Sequence, residues 1–211
     1  MAVNRLESGI ERITAFSDGI FAVAITLLVL SISVPDLGSS PTDANLQARL
    51  NDAVPAIVGF VISFAVVGVF WVSHHRLFQI AREIDRPSLY VNLLFLMTIC
   101  FVPFPTGVLA RYGQLATAFI FYAASIAFTG SMLAVLWWVV IVRPAHLKAR
   151  RRLGRYFALR AAGTSLIFLI SIPIALLNVD VARWAWLALP VFFIVFGRIF
   201  GHMENEAHAS A

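Results

Sequence analysis

The sequence predicts an all-α fold: a polytopic membrane protein with six transmembrane helices and both termini cytoplasmic. Three observations carry this. The 211-residue chain is 60% hydrophobic and only 13% charged, with a mean hydropathy of +0.86, whereas soluble domains run about 45–50% apolar and about 25% charged. Its few charges are gathered into clusters separated by long apolar runs. The basic residues, finally, are concentrated in every second gap between those runs. Such a chain is too apolar to be disordered, and its length is that of one domain, so residues 1–211 read as a single transmembrane unit.

A helix needs about 20 predominantly apolar residues to cross the hydrocarbon core. The first span, 13–35, ends at Asp36 and is free of charge after Asp18. The second, 53–77, opens after Asp52, and the third, 88–110, lies between Arg86 and Arg111. The fourth, 113–142, runs up to Arg143, and the fifth, 158–179, is uncharged between Arg160 and Asp180. The sixth, 183–200, is the shortest, with an uncharged stretch only from 184 to 197. Arg183 and Arg198 flank it and can snorkel, and Trp184 and Trp186 suit an interfacial belt. Connections are short except 36–52, where Gly38, Ser39, Ser40 and Pro41 precede an expected short helix over Asn45–Leu50. The leading segment carries Arg5, Glu7, Glu11 and Arg12, and no small-residue cleavage site follows. The first apolar run is therefore expected to stay in the mature protein.

Six spans put the termini and the even-numbered loops on one side. That side carries thirteen of the sixteen Lys and Arg residues; only Arg49, Arg111 and Arg183 fall on the other. By the positive-inside rule the rich side is cytoplasmic. The run Arg143 to Arg155 then reads as a topology signal touching anionic headgroups of the bilayer, and no nucleic-acid partner is expected although the net charge is +5. The single cysteine, Cys100, excludes an intramolecular disulfide, and its apolar setting suits a packed thiol.

Polar groups inside a membrane are costly, and so they mark function. One set opens the first helix: Arg12, Thr14, Ser17 and Asp18. At 100° per residue, Phe16, Gly19, Ile20, Val23, Thr26, Leu27, Leu30 and Val34 share one face, while Thr14 and Asp18 project from the other. A second set, Trp71, Ser73, His74, His75 and Arg76, ends the second helix, and a third, Asn92, Thr98, Pro103, Pro105 and Thr106, lies on the third. The histidines are adjacent, so they point apart and do not make the i, i+4 pair of a helical zinc site. Satisfied interfacial histidines are the ordinary reading, with no metal and no cofactor. Asp18 is equally an ordinary first-turn acid that complements the helix dipole, and the prolines an ordinary kink.

These residues carry a resemblance. Arg12-x-x-x-Phe16-Ser17-Asp18-Gly19, running on through Leu30, resembles the first-helix signature of the bacterial TMEM175 family of potassium channels, six-helix membrane proteins of the DUF1211 type. Trp71-x-x-His74-His75-Arg76 and Asn92…Pro103-Phe104-Pro105-Thr106 are similar to the same family. The resemblance implies a homotetramer in the bacterial cell membrane, with four first helices lining a central, potassium-permeable pore. It implies apolar constriction rings at Val23, Leu27 and Leu30, with Thr26 as a hydroxyl layer. It also implies a bracing network of Arg12, Ser17 and Asp18 with His74 or His75. Position 23 departs from the pattern, since a bulkier Ile or Leu is usual there. No TVGYG-like carbonyl filter is present. The implied activity is therefore a leak-type cation channel, not an enzyme, with K⁺ only as permeant ion. The competing reading is proton-coupled transport, or a proton-permeable channel, using Asp18 and His74 or His75. Against the transporter stand the lack of an internal repeat and of a second acid within a span. An intramembrane enzyme would want an acidic pair for a divalent metal, or a base beside Ser17, and the sequence offers neither.

Overall fold

A computed structural model describes residues 2–38, 41–81, 84–144, 148–186 and 188–200. The described chain is built of helices without strands: α1 (Ala2–Leu27), α2 (Asp43–Ile80), α3 (Arg86–Phe101), α4 (Pro103–Tyr112), α5 (Ala116–Trp137), α6 (Lys148–Leu177), α7 (Val179–Ala185) and α8 (Ala188–Phe200). Five stretches among the described residues are long and apolar enough to cross a membrane: Gly9–Ser31, Asp43–Ile80, Arg86–Tyr112, Ala116–Val142 and Arg151–Leu177. Each of them overlaps one of the first five expected spans, with different ends. The sixth expected span, 183–200, falls on the end of α7, which the Asn178 side chain caps, and on α8; residues 187 and 201–211 lie outside the described residues.

Each deviation from a plain helical rod has a local cause. α1 tightens into a 3₁₀ turn at Leu28–Ser31 and is extended from Ile32, so residues 32–35 of the expected span are not helical. The short helix expected at Asn45–Leu50 is instead the opening of α2, which Thr42 caps by accepting from the Asn45 amide. The third span is broken at Val102 because Pro103 and Pro105 have no N–H to continue the ladder. Thr106 bridges the break, its amide and hydroxyl both donating to the Val102 carbonyl. α5 widens into a π turn over Trp138–Val142, closed by the Arg143 amide on the Trp138 carbonyl. The fifth helix starts ten residues before its expected span, so Arg151, Arg152 and Arg155 stand exposed on a helix. Residues 145–147 of the basic run, and Arg82, lie outside the described residues.

Two ties mark the ends of the bundle. Arg143, after α5, pairs with Asp85, before α3; Arg183, on α7, donates to the Gly113 carbonyl, after α4. Even-numbered connections thus meet at one end and odd-numbered ones at the other, as an alternating topology requires. Between them α5 and α6 pack most closely. A Cβ on Gly130 would fall 2.5 Å from Ser165 Oγ, and one on Gly154 2.7 Å from Ile141, so small residues set the approach of the two backbones. Phe70, Phe95, Phe119, Tyr122, Trp137 and Phe168 fill the core, and Trp186 stacks on Phe119 at 4.5 Å.

Asp85 caps α3 by accepting from the Ser88 amide and hydroxyl, and these bonds, with Arg143, hold its carboxyl below the ordinary value of 3.8. Asp85→Ala should cost about 1 kcal/mol, the usual worth of an N-cap. With the folded-state value lowered, the stabilisation is complete above 3.8 and is lost as pH falls from there through that lower value. Thermal unfolding of the purified protein between pH 3 and 7 should show this loss in the wild type and little of it in Asp85→Asn.

Candidate functional site

α1 meets the bundle along a narrow face. Ser17, Phe21, Ala24 and Leu28 are buried, spaced four, three and four residues apart, as one side of an α-helix requires. The opposite side, with Phe16, Gly19, Val23, Thr26, Leu27 and Leu30, is exposed. Val23 is 59%, Leu27 43% and Leu30 73% exposed, in the same range as apolar side chains elsewhere on the outside of the bundle such as Met97 and Leu159. The 3₁₀ turn keeps the stripe straight at its end. Residues i and i+3 eclipse in that geometry, so Leu30 stays in line with Leu27.

What fixes this rotation is polar. Asn92 of α3 donates through Nδ2 to Ser17 Oγ at 3.3 Å, and Ser17 donates to the Ile13 carbonyl at 2.8 Å. The Asn92 Oδ1 lies 2.9 Å from His74 Nε2 of α2, so Nε2 carries the hydrogen and donates. The three side chains are fully buried or nearly so, and the His74 Nδ1 atom is left without a hydrogen-bond partner among the described residues. His74 is in addition packed among Phe21, Phe78 and Phe95, with ring centroids 4.7 to 5.5 Å away. A second tie runs from the Trp71 indole to Asp18 Oδ1 at 2.8 Å. Trp71 stacks on His75 at 5.4 Å, and His75 accepts from the Gln79 amide at 2.9 Å.

The structure therefore joins Ser17 to His74 through Asn92, and sets Asp18 beside His75 through Trp71. Arg12 is exposed and bonds to none of the described residues of its own chain. The adjacent histidines face apart, and among the described residues no group of three His, Cys, Asp or Glu side chains is placed to hold a metal. Sequence reading missed one polar cluster: Ser63 Oγ lies 3.0 Å from both Thr106 Oγ1 and Tyr122 Oη, tying α4, α2 and α5 in the core. A signal was present, because Ser63, Phe70 and Leu77 recur at seven-residue spacing on the buried side of α2.

An all-helical, multi-pass protein of the cell membrane is the class these features define. Comparison with known proteins narrows it. Residues 12–103 match the family model described as "Endosomal/lysosomal potassium channel TMEM175". A protein of Streptomyces collinus named a potassium channel is 41% identical over 145 residues, 67% of this chain and 68% of that protein. Another so named, from Chamaesiphon minutus, is 47% identical over 106 residues, 50% of this chain and 52% of its own length. The human protein named an endosomal/lysosomal proton channel is 32% identical over 140 residues, 27% of its length. The crystal structure of a lysosomal potassium-selective channel TMEM175 homolog from Chamaesiphon minutus superposes with a TM-score of 0.78 at 31% identity, over 90% of this chain and 98% of that one. The chain belongs to the TMEM175 family.

Asn92→Leu keeps the branched outline of the side chain but removes the acceptor of His74 Nε2 and the donor to Ser17 together. Leaving buried groups unsatisfied should cost about 2–3 kcal/mol, against about 1 kcal/mol for Ser17→Ala, whose hydroxyl donates only to its own helix. Thermal unfolding of both variants measures the difference.

Proposed function

We propose that the chain is one subunit of a potassium-permeable cation channel, a homotetramer in which four copies of α1 surround a central pore. Membership of the family and the names of its bacterial relatives support this. The observation that carries it is the exposed stripe Val23, Thr26, Leu27 and Leu30, held outward by a helix whose other face is locked by buried hydrogen bonds. Four such stripes brought together enclose a narrow path with apolar walls. A ring of leucines excludes ions by shedding water, and a small rotation or dilation of α1 rewets it. Val23, being smaller than leucine, makes the wider ring, so Leu27 and Leu30 form the constriction.

Thr26 supplies the preference for cations. Its hydroxyl hydrogen is committed to the Val23 carbonyl at 2.8 Å, so the oxygen lone pairs are what it offers to the pore. A ring of such oxygens replaces part of a cation's hydration shell and gives an anion nothing to bind. The brace of Ser17, Asn92 and His74, with Asp18 and Trp71, sets the angle of α1 and takes no part in conduction. Arg12, exposed on the same helix, reaches across to a neighbouring subunit.

A proton-permeable channel is the second reading, supported by the names of the mammalian relatives. The bonding of the groups it would use argues against a relay: His74 is tied to Asn92 and Asp18 to Trp71.

Recordings of the purified protein in a planar bilayer with K⁺ on one side and Na⁺ on the other test both. The reversal potential should lie toward the K⁺ equilibrium potential and stay there when a pH gradient is added; a potential that follows the pH gradient supports the proton reading. Leu27→Ala and Leu30→Ala should each raise single-channel conductance and bring the reversal potential toward zero. Unchanged currents in both would remove these residues from the pore.

A further inference from the structure

The alternating topology leaves three basic residues on the outer side: Arg49, Arg111 and Arg183. Arg49 pairs with Asp52 at 3.8 Å; Arg183 pairs with Asp180 at 3.1 Å and also donates to the Gly113 carbonyl. Arg111, in the last turn of α4, has neither an ion pair nor a hydrogen bond to any of the described residues. Its guanidinium lies 5.6 Å over the adjacent Tyr112 ring, which positions the charge without neutralising it. The same side chain lines a cleft of about 470 Å³ between α4 and the 3₁₀ end of α1. Leu30, Phe104 and Val108 make its walls apolar, and a Cβ placed on Gly107 would meet no atom within 4 Å, so the cleft is open along α4. Ser31 lines it too, and the Ser31 hydroxyl oxygen is buried with no hydrogen-bond partner among the described residues. From Arg111 back to Phe104 is seven residues of α4, about 10 Å at 1.5 Å per residue. That is roughly two-thirds of one leaflet of the ~30 Å hydrocarbon core.

We propose that this cleft binds one anionic phospholipid of the outer leaflet, its phosphate on Arg111 and the Ser31 hydroxyl and one acyl chain against Phe104, Gly107 and Leu30. Charge complementarity selects the occupant. Arginine keeps its charge at any pH of interest, its planar fork matches two phosphate oxygens, and at Arg111 no acid of the described chain competes for it. A buried hydroxyl without a partner gains from an acceptor brought to it. Inorganic phosphate would leave the apolar length unfilled, and a choline headgroup would add a second cation beside the guanidinium. The contact is distinct from the diffuse attraction of Arg151, Arg152 and Arg155, which stand exposed at the opposite end of the bundle. Leu27 and Leu30 border the cleft as well as belonging to the outward stripe of α1, so a lipid seated here touches the end of that stripe. The site depends on the orientation of α4 in the membrane and not on ion conduction.

Native mass spectrometry tests it, with the full chain reconstituted in equimolar dioleoylphosphatidylglycerol and dioleoylphosphatidylcholine, extracted in mild detergent and activated by collision until loosely held lipid is stripped. Wild type should retain phosphatidylglycerol in preference to phosphatidylcholine. Arg111→Gln should lower that retention about fivefold, the effect of one basic residue's attraction to an anionic lipid. Gly107→Leu should lower it comparably by filling the cleft, with the assembly mass in the same spectrum unchanged. Arg49→Gln, on the same side but outside the cleft, and Arg151→Gln/Arg152→Gln, on the other side, should both stay close to wild type. The proposal is overturned if wild type shows no preference, or if either of these controls matters as much as Arg111→Gln. It is also overturned if Gly107→Leu leaves retention intact, or if it alters the assembly mass, which would make the cleft a contact between copies. Circular dichroism checks folding; where Gly107→Leu does not fold, Arg111→Gln read against Arg49→Gln decides.

Discussion

Asn92, Ser17 and His74 are buried between helices, out of reach of water. With no water to accept or donate, each must find a protein partner or leave a polar atom unsatisfied at a cost of a few kcal/mol. The solution, His74 to Asn92 to Ser17 to the Ile13 carbonyl, links α2, α3 and α1 at one level. Apolar contacts alone would let α1 rotate, because leucine packs nearly as well against lipid as against protein. The directional bonds remove that freedom. Much else in the structure follows from this constraint, since only one face of α1 can carry Ser17, and whatever lies opposite must point away from the bundle.

What lies opposite is apolar but for one hydroxyl. Phe16, Val23, Leu27 and Leu30 are exposed, while Phe21, Ala24 and Leu28 from the same helix are buried. One helix thus carries two apolar surfaces: one closes the core of the bundle, and the other faces outward. The break in the third span lies next to the outward surface. Pro103 and Pro105 interrupt the backbone beside the 3₁₀ end of α1, where Leu27, Leu30 and Phe104 border a shared open cleft.

The first five spans were legible because charge is so scarce that each cluster reads as a boundary. The stripe on α1 was legible because 100° periodicity survives wherever the helix is regular, and the 3₁₀ turn happens to preserve its line. Asp18 and His74 stood out as polar residues in an apolar setting. Their partners did not. Nothing in spacing says that Asp18 meets Trp71 or that Asn92 stands between Ser17 and His74, since those pairs lie 53 and 75 residues apart and depend on how three helices cross. The early starts of α2 and α6 were missed for a related reason: helices continue past the membrane where polar residues of good propensity, such as those of Lys148–Arg155, allow it. The last span was read as one run, whereas Asn178 caps a separate short helix before α8.

The central claim is that the exposed face of α1 lines water and its buried face does not. Cysteine substitution through residues 16–30, in a Cys100→Ser background, tests this most directly when a charged, membrane-impermeant thiol reagent is applied during bilayer recording. Cysteines at 19, 23, 26, 27 and 30 should be modified and change the current, while those at 17, 21, 24 and 28 should remain unmodified. Modification without regard to face, or a stripe that stays unreactive while current flows, would contradict the account.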